Sequence, residues 1–471
     1  MRVAIILTAA VLVLAGCGST SRVSGDEPTP RVTAVEAPQP SNAKGHYNLG
    51  LTDVACVAPG NCAAAGYLAS NTISRGLLFV EKDGRWIVNE PPFPKVLRPG
   101  NKSEGVSAVD CPAVGHCVAV GYAASGSQLV PLVFTQGTHG WQEKVVSKRG
   151  TLDFVSCPSI GNCTAAGGQG QLLDETNGDW GTLRAAGLPP NASATIVGQS
   201  PALQGLSCWA AGNCAAVGIY GDTHGSPQGW LLTEIHGVWA RGVEAKLPAN
   251  ASKDEGSYLY PAIDLEVSCA PNGDCTSVGG YADAKSHQFG MLLSEHAGHW
   301  GPAKQTPLPA NAGPNVQQGN APESPMGSVA CPSAGDCSAV GWYLDAHGKY
   351  HGLLLDEGAG TWSPNELVFP SGGSAAAATS LESIGCPSAG NCLAVGAYAA
   401  TPGAFRPLLV ARRNGRWLNA SDAPPPDGIA ENYKGNLGSV SCPSARTCVA
   451  VGSRTQAAGY ERGLIVTVGR G

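Results

Sequence analysis

Charge is scarce in this chain of 471 residues: Asp, Glu, Lys and Arg make up 14% of it, against roughly 25% in ordinary soluble domains. Too few ion pairs are available to lace the exposed faces of long helices, which favours strands. The 29 basic residues stand against 35 acidic ones, for a net charge of −6, and they form no basic tract. Phosphate-backbone binding therefore has no electrostatic basis, and nucleic acid is excluded as a partner. Catalytic signatures are missing too. No G-x-S-x-G elbow, H-E-x-x-H pair, Walker loop or complete G-x-G-x-x-G occurs, which removes the usual support for serine hydrolase, metalloprotease and nucleotide chemistry. No cofactor and no metal is expected. With 64 Gly and 35 Pro the chain still falls below the roughly 25–30% that marks disorder, and 43% hydrophobic residues suffice for a core.

Long apolar runs are absent except at the start, where Arg2 precedes Val3 to Leu14. That run is too short for a comfortable membrane span and fits the apolar region of a signal peptide. The segment Leu14-Ala15-Gly16-Cys17 resembles the lipobox of bacterial lipoproteins. The resemblance implies a signal peptide over residues 1–16, acylation of Cys17, and export with anchoring to the outer face of the bacterial cell membrane. A diglyceride plus an N-acyl chain meets the two-signal requirement for stable anchoring. Residues 17–45 read as a tether rich in Ser, Thr, Pro and Gly. Within it, residues 30–36 (Pro-Arg-Val-Thr-Ala-Val-Glu) alternate as a strand.

The other sixteen cysteines fall into eight pairs of one spacing, C-x5-C: Cys56 with Cys62, Cys111 with Cys117, Cys157 with Cys163, Cys208 with Cys214, Cys269 with Cys275, Cys331 with Cys337, Cys386 with Cys392, and Cys442 with Cys448. First cysteines recur every 46 to 62 residues, so residues 46–471 hold eight repeats. In an exported chain such pairs are disulfides, and the spacing does not suit zinc. Turn residues such as Pro332-Ser333-Ala334-Gly335-Asp336 between the cysteines make each bridge the staple of a tight hairpin.

Each repeat reads as four strands. Strand A alternates up to the first cysteine, and strand B follows the second, with a small residue two positions on and Gly four positions on, from Gly66 to Gly452. Gly at a fixed place in a strand implies a bulky neighbour or a close backbone approach. Strand C is an apolar run such as Gly76-Leu77-Leu78-Phe79-Val80. Asp83-Gly84-Arg85-Trp86, Asn177-Gly178-Asp179-Trp180 and Asn414-Gly415-Arg416-Trp417 then signal a hairpin into strand D. Repeat eight stops after strand C, and residues 30–36 are placed to supply its missing strand, because an open edge invites aggregation.

Four short antiparallel strands repeated eight times match the blades of a β-propeller. The order of apolar strand, Ala-Val-Gly, apolar strand and Gly-x-Trp resembles the Asp-box or BNR-type repeats of sialidases and of several bacterial and photosynthetic assembly-factor propellers. The resemblance covers about residues 50–468, although Ser-x-Asp-x-Gly-x-x-Trp is never complete and Gly lies closer to Trp. It implies an all-β, eight-bladed propeller of four-stranded antiparallel blades. An activity is not carried over with the fold.

Antiparallel strands put the A–B and C–D turns on one face and the longer, variable B–C and D–A loops on the other. Binding belongs on the loop face. Six residues past the second cysteine stand Tyr220 and Tyr281, with Trp342 and Tyr343 at the same rim, a stacking surface for sugars or peptides. Eight residues past it, repeats four to six place Asp222, Asp283 and Asp345, with His224, His287 and His347 nearby. These groups suit recognition of an envelope glycan, peptide or protein, or acid–base chemistry of the glycoside-hydrolase type, unless each Asp merely starts a turn. A lipid-anchored binding or assembly propeller, monomeric, is the leading expectation; a hydrolase and a purely structural envelope protein are the alternatives.

Overall fold

The computed structural model describes residues 31–469 apart from 44, 71–73, 92–102, 126–127, 139, 194–200, 253–262, 286, 314–324, 370–378 and 402. The expected signal peptide, Cys17 and the tether before residue 31 lie outside the described residues. All regular structure among the described residues is β. The strands form seven sheets of sequential antiparallel neighbours, and the eight-stranded one joins the meanders of repeats one and two through the single parallel pair Ser74–Ser103.

Repeat four shows the unit. Ala202–Ala210, Asn213–Gly221 and Pro227–Ile235 pair in order, and the outer strand is two short pieces, Val238–Trp239 and Val243–Glu244, both on the third strand. The expected continuous strand D is thus interrupted here, because one extra residue shifts the register between Trp239 opposite Glu234 and Val243 opposite Leu231. Alternation feeds both faces: Ala215 and Val217 pack toward Leu265 and Val267 of repeat five, while Ala216 packs toward Ala166 and Leu172 of repeat three. Burial on both sides accounts for the unbroken run Trp230-Leu231-Leu232. Each such side chain contributes about 1.5–3 kcal/mol.

First strands stand against first strands in succession around an axis, and Lys434–Ser444 of repeat eight packs against Asn48–Ala58 of repeat one. The architecture is a β-propeller. Side-chain oxygens hand neighbouring repeats together. Ser156, Ser207 and Ser268 Oγ accept the N–H of Cys208, Cys269 and Cys331 at 3.0–3.1 Å, and Ser441 Oγ accepts that of Cys56 at 3.0 Å. Arg31–Glu36 pairs antiparallel with Glu461–Gly469, from Arg31 opposite Gly469 to Glu36 opposite Leu464.

All eight C-x5-C pairs are disulfides. They fit an oxidising compartment. The bridged turns share a face with the C–D turns, as Gly178 N–H donating to the Gly161 carbonyl and Gly237 N–H to Gly212 show. The recurrent Gly after the second cysteine answers a backbone approach. A Cβ on Gly218 would lie 2.0 Å from the Ala202 carbonyl oxygen, and one on Gly341 would lie 1.9 Å from that of Pro325. The cause is a bulge one residue further along strand A, between Leu203 and Gly205 in repeat four and between Met326 and Ser328 in repeat six.

Candidate functional site

On the loop face, repeats four to six carry one construction three times. Asp222 Oδ1 accepts the N–H of His224 and Ser226 at 2.9 Å, Asp283 Oδ1 those of Lys285 and His287, and Asp345 Oδ1 those of His347 and Lys349. Each carboxylate closes its own B–C turn. The other oxygen is held as well, by Gln228 Nε2 at 3.0 Å on Asp222, His287 Nδ1 at 3.0 Å on Asp283 and His351 Nε2 at 3.0 Å on Asp345. His351, not the expected His347, is the imidazole at Asp345. His224 has its side chain largely exposed. Hydrogen bonds from the Lys349 backbone and the His351 ring bring Asp345 down to about 2. For Asp283, burial pushes upward but is outweighed by the His287 and Lys285 N–H groups and the His287 ring, so its pKa is lowered. Carboxylates this committed to the ionised form do not serve as general acids at neutral pH.

Tyr220, Tyr281 and Tyr343 are buried, with exposures of 1%, 1% and 2%. The structure therefore turns them inward, away from an exposed stacking surface. Their hydroxyls donate to the Oδ1 atoms of Asn191, Asn250 and Asn311 at 2.9–3.1 Å. These asparagines belong to a motif in the preceding D–A loop, Leu-Pro-x-Asn-Ala, at 188–192, 247–251 and 308–312. Its alanine bridges to the matching aspartate: Ala192 to Asp222, Ala251 to Asp283, Ala312 to Asp345. The arc is a row of clasps between loops. Trp342 alone of the expected aromatics stays half-exposed, its ring 5.0 Å from that of Tyr350. The clasp was detectable in the amino-acid order, since each asparagine falls eleven residues after its tryptophan (180, 239, 300).

A concave site opens at the axis instead. Where the first strands bulge, residues of repeats three to seven surround a cavity of about 500 Å³. Phe154, Leu203, Leu265 and Met326 give it apolar wall, and Asp153, Gln204, Asp264, Glu266 and Glu382 give it a polar rim. Asp153 Oδ2 is held by Thr151 Oγ1 at 2.9 Å and Gly168 N–H at 2.6 Å. Gln204 Oε1 accepts the Leu265 N–H at 3.2 Å, which joins neighbouring repeats at the rim. Asp264 adopts φ 44°, a left-handed conformation uncommon for a non-glycine residue. Burial, with the nearby Asp53 charge added, pushes Glu266 up to about 7 against the opposing pull of the Val267 N–H.

No family model matches the chain, and no curated protein matches it. Among solved structures it is similar to YCF48 from Cyanidioschyzon merolae, at 11% identity and a TM-score of 0.43 over 93% of this chain and 98% of that one. It is similar to the C-terminal WD40 domain of Sif2, at 8% identity and a TM-score of 0.45 over 93% and 99%. The Trypanosoma rangeli sialidase is similar at 10% identity and a TM-score of 0.36, over 92% of this chain and 57% of that one. The likeness is one of strand arrangement alone.

A second recurrent residue lies at the disulfide-bearing face. Five residues before the tryptophan stands Glu in repeats one, three, four, five and six (Glu81, Glu175, Glu234, Glu295, Glu357), Gln136 in repeat two and Arg412 in repeat seven. Each pairs across strands with its tryptophan, as Glu234 with Trp239 and Arg412 with Trp417, and so points into the groove between repeats.

Proposed function

We propose that the chain is an exported, lipid-anchored, eight-bladed β-propeller that works as a binding or assembly module and takes a peptide or protein segment at the loop-face mouth of its axis. The Cys56–Ser441 hydrogen bond and the pairing of Arg31–Glu36 with the last strand support a ring closed by the N-terminal strand. Eight disulfides support export, and the segment ending in Cys17 supports the anchor. The observation that carries the binding reading is the axial cavity, a hollow of about 500 Å³ among five repeats on which four carboxyl groups and an amide converge. Its carboxylate rim selects a segment that bears Lys or Arg beside an apolar side chain. Hydrolysis has no support at Asp222, Asp283 or Asp345, whose Oδ1 atoms hold turns and whose Oδ2 atoms are engaged by Gln228, His287 and His351.

The test uses a soluble form beginning at Gly18, applied in parallel to peptide and glycan arrays, with a D153N/D264N/E382Q variant as control. Peptides rich in Lys or Arg should bind and lose affinity at least tenfold in the variant. Binding to glycans only, unchanged in the variant, refutes the reading.

A further inference from the structure

Two grooves between neighbouring repeats share a cradle, and only one is filled. Asp stands six residues before the tryptophan in repeats three and six alone, as Asp174 and Asp356. In both, the residue after the second cysteine donates to it: Thr164 Oγ1 to Asp174 Oδ1 at 3.0 Å, and Ser338 Oγ to Asp356 Oδ1 at 2.8 Å. In both, a strand-D side chain holds the other oxygen, Arg184 Nη2 at 2.6 Å and Asn365 Nδ2 at 2.9 Å. The sulfur of the following repeat lies against the hydroxyl in both, Cys214 Sγ 3.5 Å from Thr164 and Cys392 Sγ 3.7 Å from Ser338.

The grooves differ in what the following repeat inserts. Repeat seven sends Arg412, whose Nη1 donates to Ser338 Oγ at 3.1 Å and approaches Asp336 Oδ1 at 3.5 Å, with Nε 3.2 Å from Asp356 Oδ1. Trp417 Nε1 completes the shell on Asp356 Oδ2 at 2.8 Å. Repeat four sends Glu234, a carboxylate, to the same place. A cavity of about 260 Å³ then remains between repeats three and four, lined by Asn162, Thr164, Asp174 and Glu234. Glu234 is 1% exposed, and among the described residues its Oε2 has no hydrogen-bond partner, as is also true of Glu81, Glu175 and Glu295, nor has Trp239 Nε1, the counterpart of Trp417 Nε1; what sets this groove apart is Asp174 beside Glu234.

We propose that this groove is a receptor for a guanidinium group supplied from outside the chain, bound between Asp174 and Glu234 in the space that Arg412 fills beside Asp356, with Asn162 standing where the filled groove has Asp336. Planar donors match two carboxylates and a hydroxyl, and pairing there removes the cost of the unpartnered Glu234 oxygen. Burial, and then the Asp174 charge, push Glu234 up to about 7, with Arg184 opposing, as expected of a carboxylate taken out of water beside another.

The experiment is isothermal titration of the soluble form with agmatine and, separately, with the peptide N-acetyl-Gly-Arg-Gly-amide, each at millimolar concentration. Agmatine should bind saturably at one site. Binding should weaken at least tenfold in D174N and in E234Q, and disappear in E234R, which supplies the guanidinium internally and should melt no lower than the parent. Binding of agmatine alone identifies a free small guanidinium compound as the ligand; binding of the peptide as well identifies an arginine on a partner protein. No binding of either probe, or binding that D174N and E234Q leave unchanged, overturns the proposal.

Discussion

Replacing Arg412 by Met isolates the energetics of the filled groove. The side chain is 9% exposed and its partner Asp356 14%, so removal of the cation leaves a buried carboxylate. Breaking such a pair from one side typically costs about 3–5 kcal/mol. Asp356 keeps its bonds from Ser338, Asn365 and Trp417, which puts the expectation at the lower end, about 3 kcal/mol. For a cooperative unit of roughly 430 residues the unfolding entropy is about 0.9 kcal/mol/K, so the melting temperature should fall by about 3 °C. The D356N single and R412M/D356N double variants complete a cycle, in which the double variant should recover about 2 kcal/mol of the summed loss. Urea unfolding at 0.1 M and 0.5 M salt provides the assay, and the coupling should barely change with salt because the pair is shielded from solvent. A coupling under about 0.5 kcal/mol, or one that vanishes at 0.5 M salt, would show that Arg412 fills space without pairing and would refute the reasoning.

Stability should rise as pH falls from 8 toward 5. Burial, then the Glu143 charge, raise Glu104 to about 8; burial raises Glu143 to about 7; and burial raises Asp110 to about 6, with the Cys157 and Cys111 N–H groups opposing and the Asp53 charge adding. These pKa values are raised by folding, so their contribution is complete below about 4.5 and is lost as pH climbs through 6 to 8. Glu104→Gln should flatten the upper part of a melting profile against pH, and an unchanged slope would count against Glu104. Tyr281→Phe, which removes hydroxyl bonds to Asn250 and Gln305, should cost about 1 kcal/mol in urea unfolding; no loss of stability would show that the hydroxyl does not clasp the loop. Replacing Cys208 and Cys214 together by Ser should cost about 2 kcal/mol, since the loop closed is short, and alkylation without reduction should label none of the sixteen paired cysteines in mass spectra. A form beginning at Lys44 should melt lower and aggregate sooner than one beginning at Gly18, because it bares the edge of Glu461–Gly469; identical melting would refute the proposed closure by Arg31–Glu36.

Cysteine spacing, Asp-Gly and Asn-Gly turns and strand alternation make the four-strand unit and its staples legible in the amino-acid order, because each is a local signal with one physical cause. The recurrent Gly was readable as a site of close approach, but its partner was not. The carbonyl that forbids a side chain at Gly218 belongs to Ala202, brought there by a bulge that leaves no mark in composition. Tyr220 and Asp222 looked like surface groups because the loop that covers them lies 29 residues upstream at Asn191. The axial cavity was less legible still. It is assembled from one to three residues of each of five repeats, none of which stands out within its own.

The antiparallel register of Arg31–Glu36 on Glu461–Gly469 has a mechanical side. Strand D leaves the disulfide-bearing face at residue 31, so a pull through that residue, resisted by whatever the opposite face grips, runs along the strand axis. The hydrogen bonds of the ladder are then loaded together, in shear, instead of being peeled one after another. Loaded through residue 31 in the way the proposed anchor requires, the blade resists drag that would unzip the same strand drawn sideways.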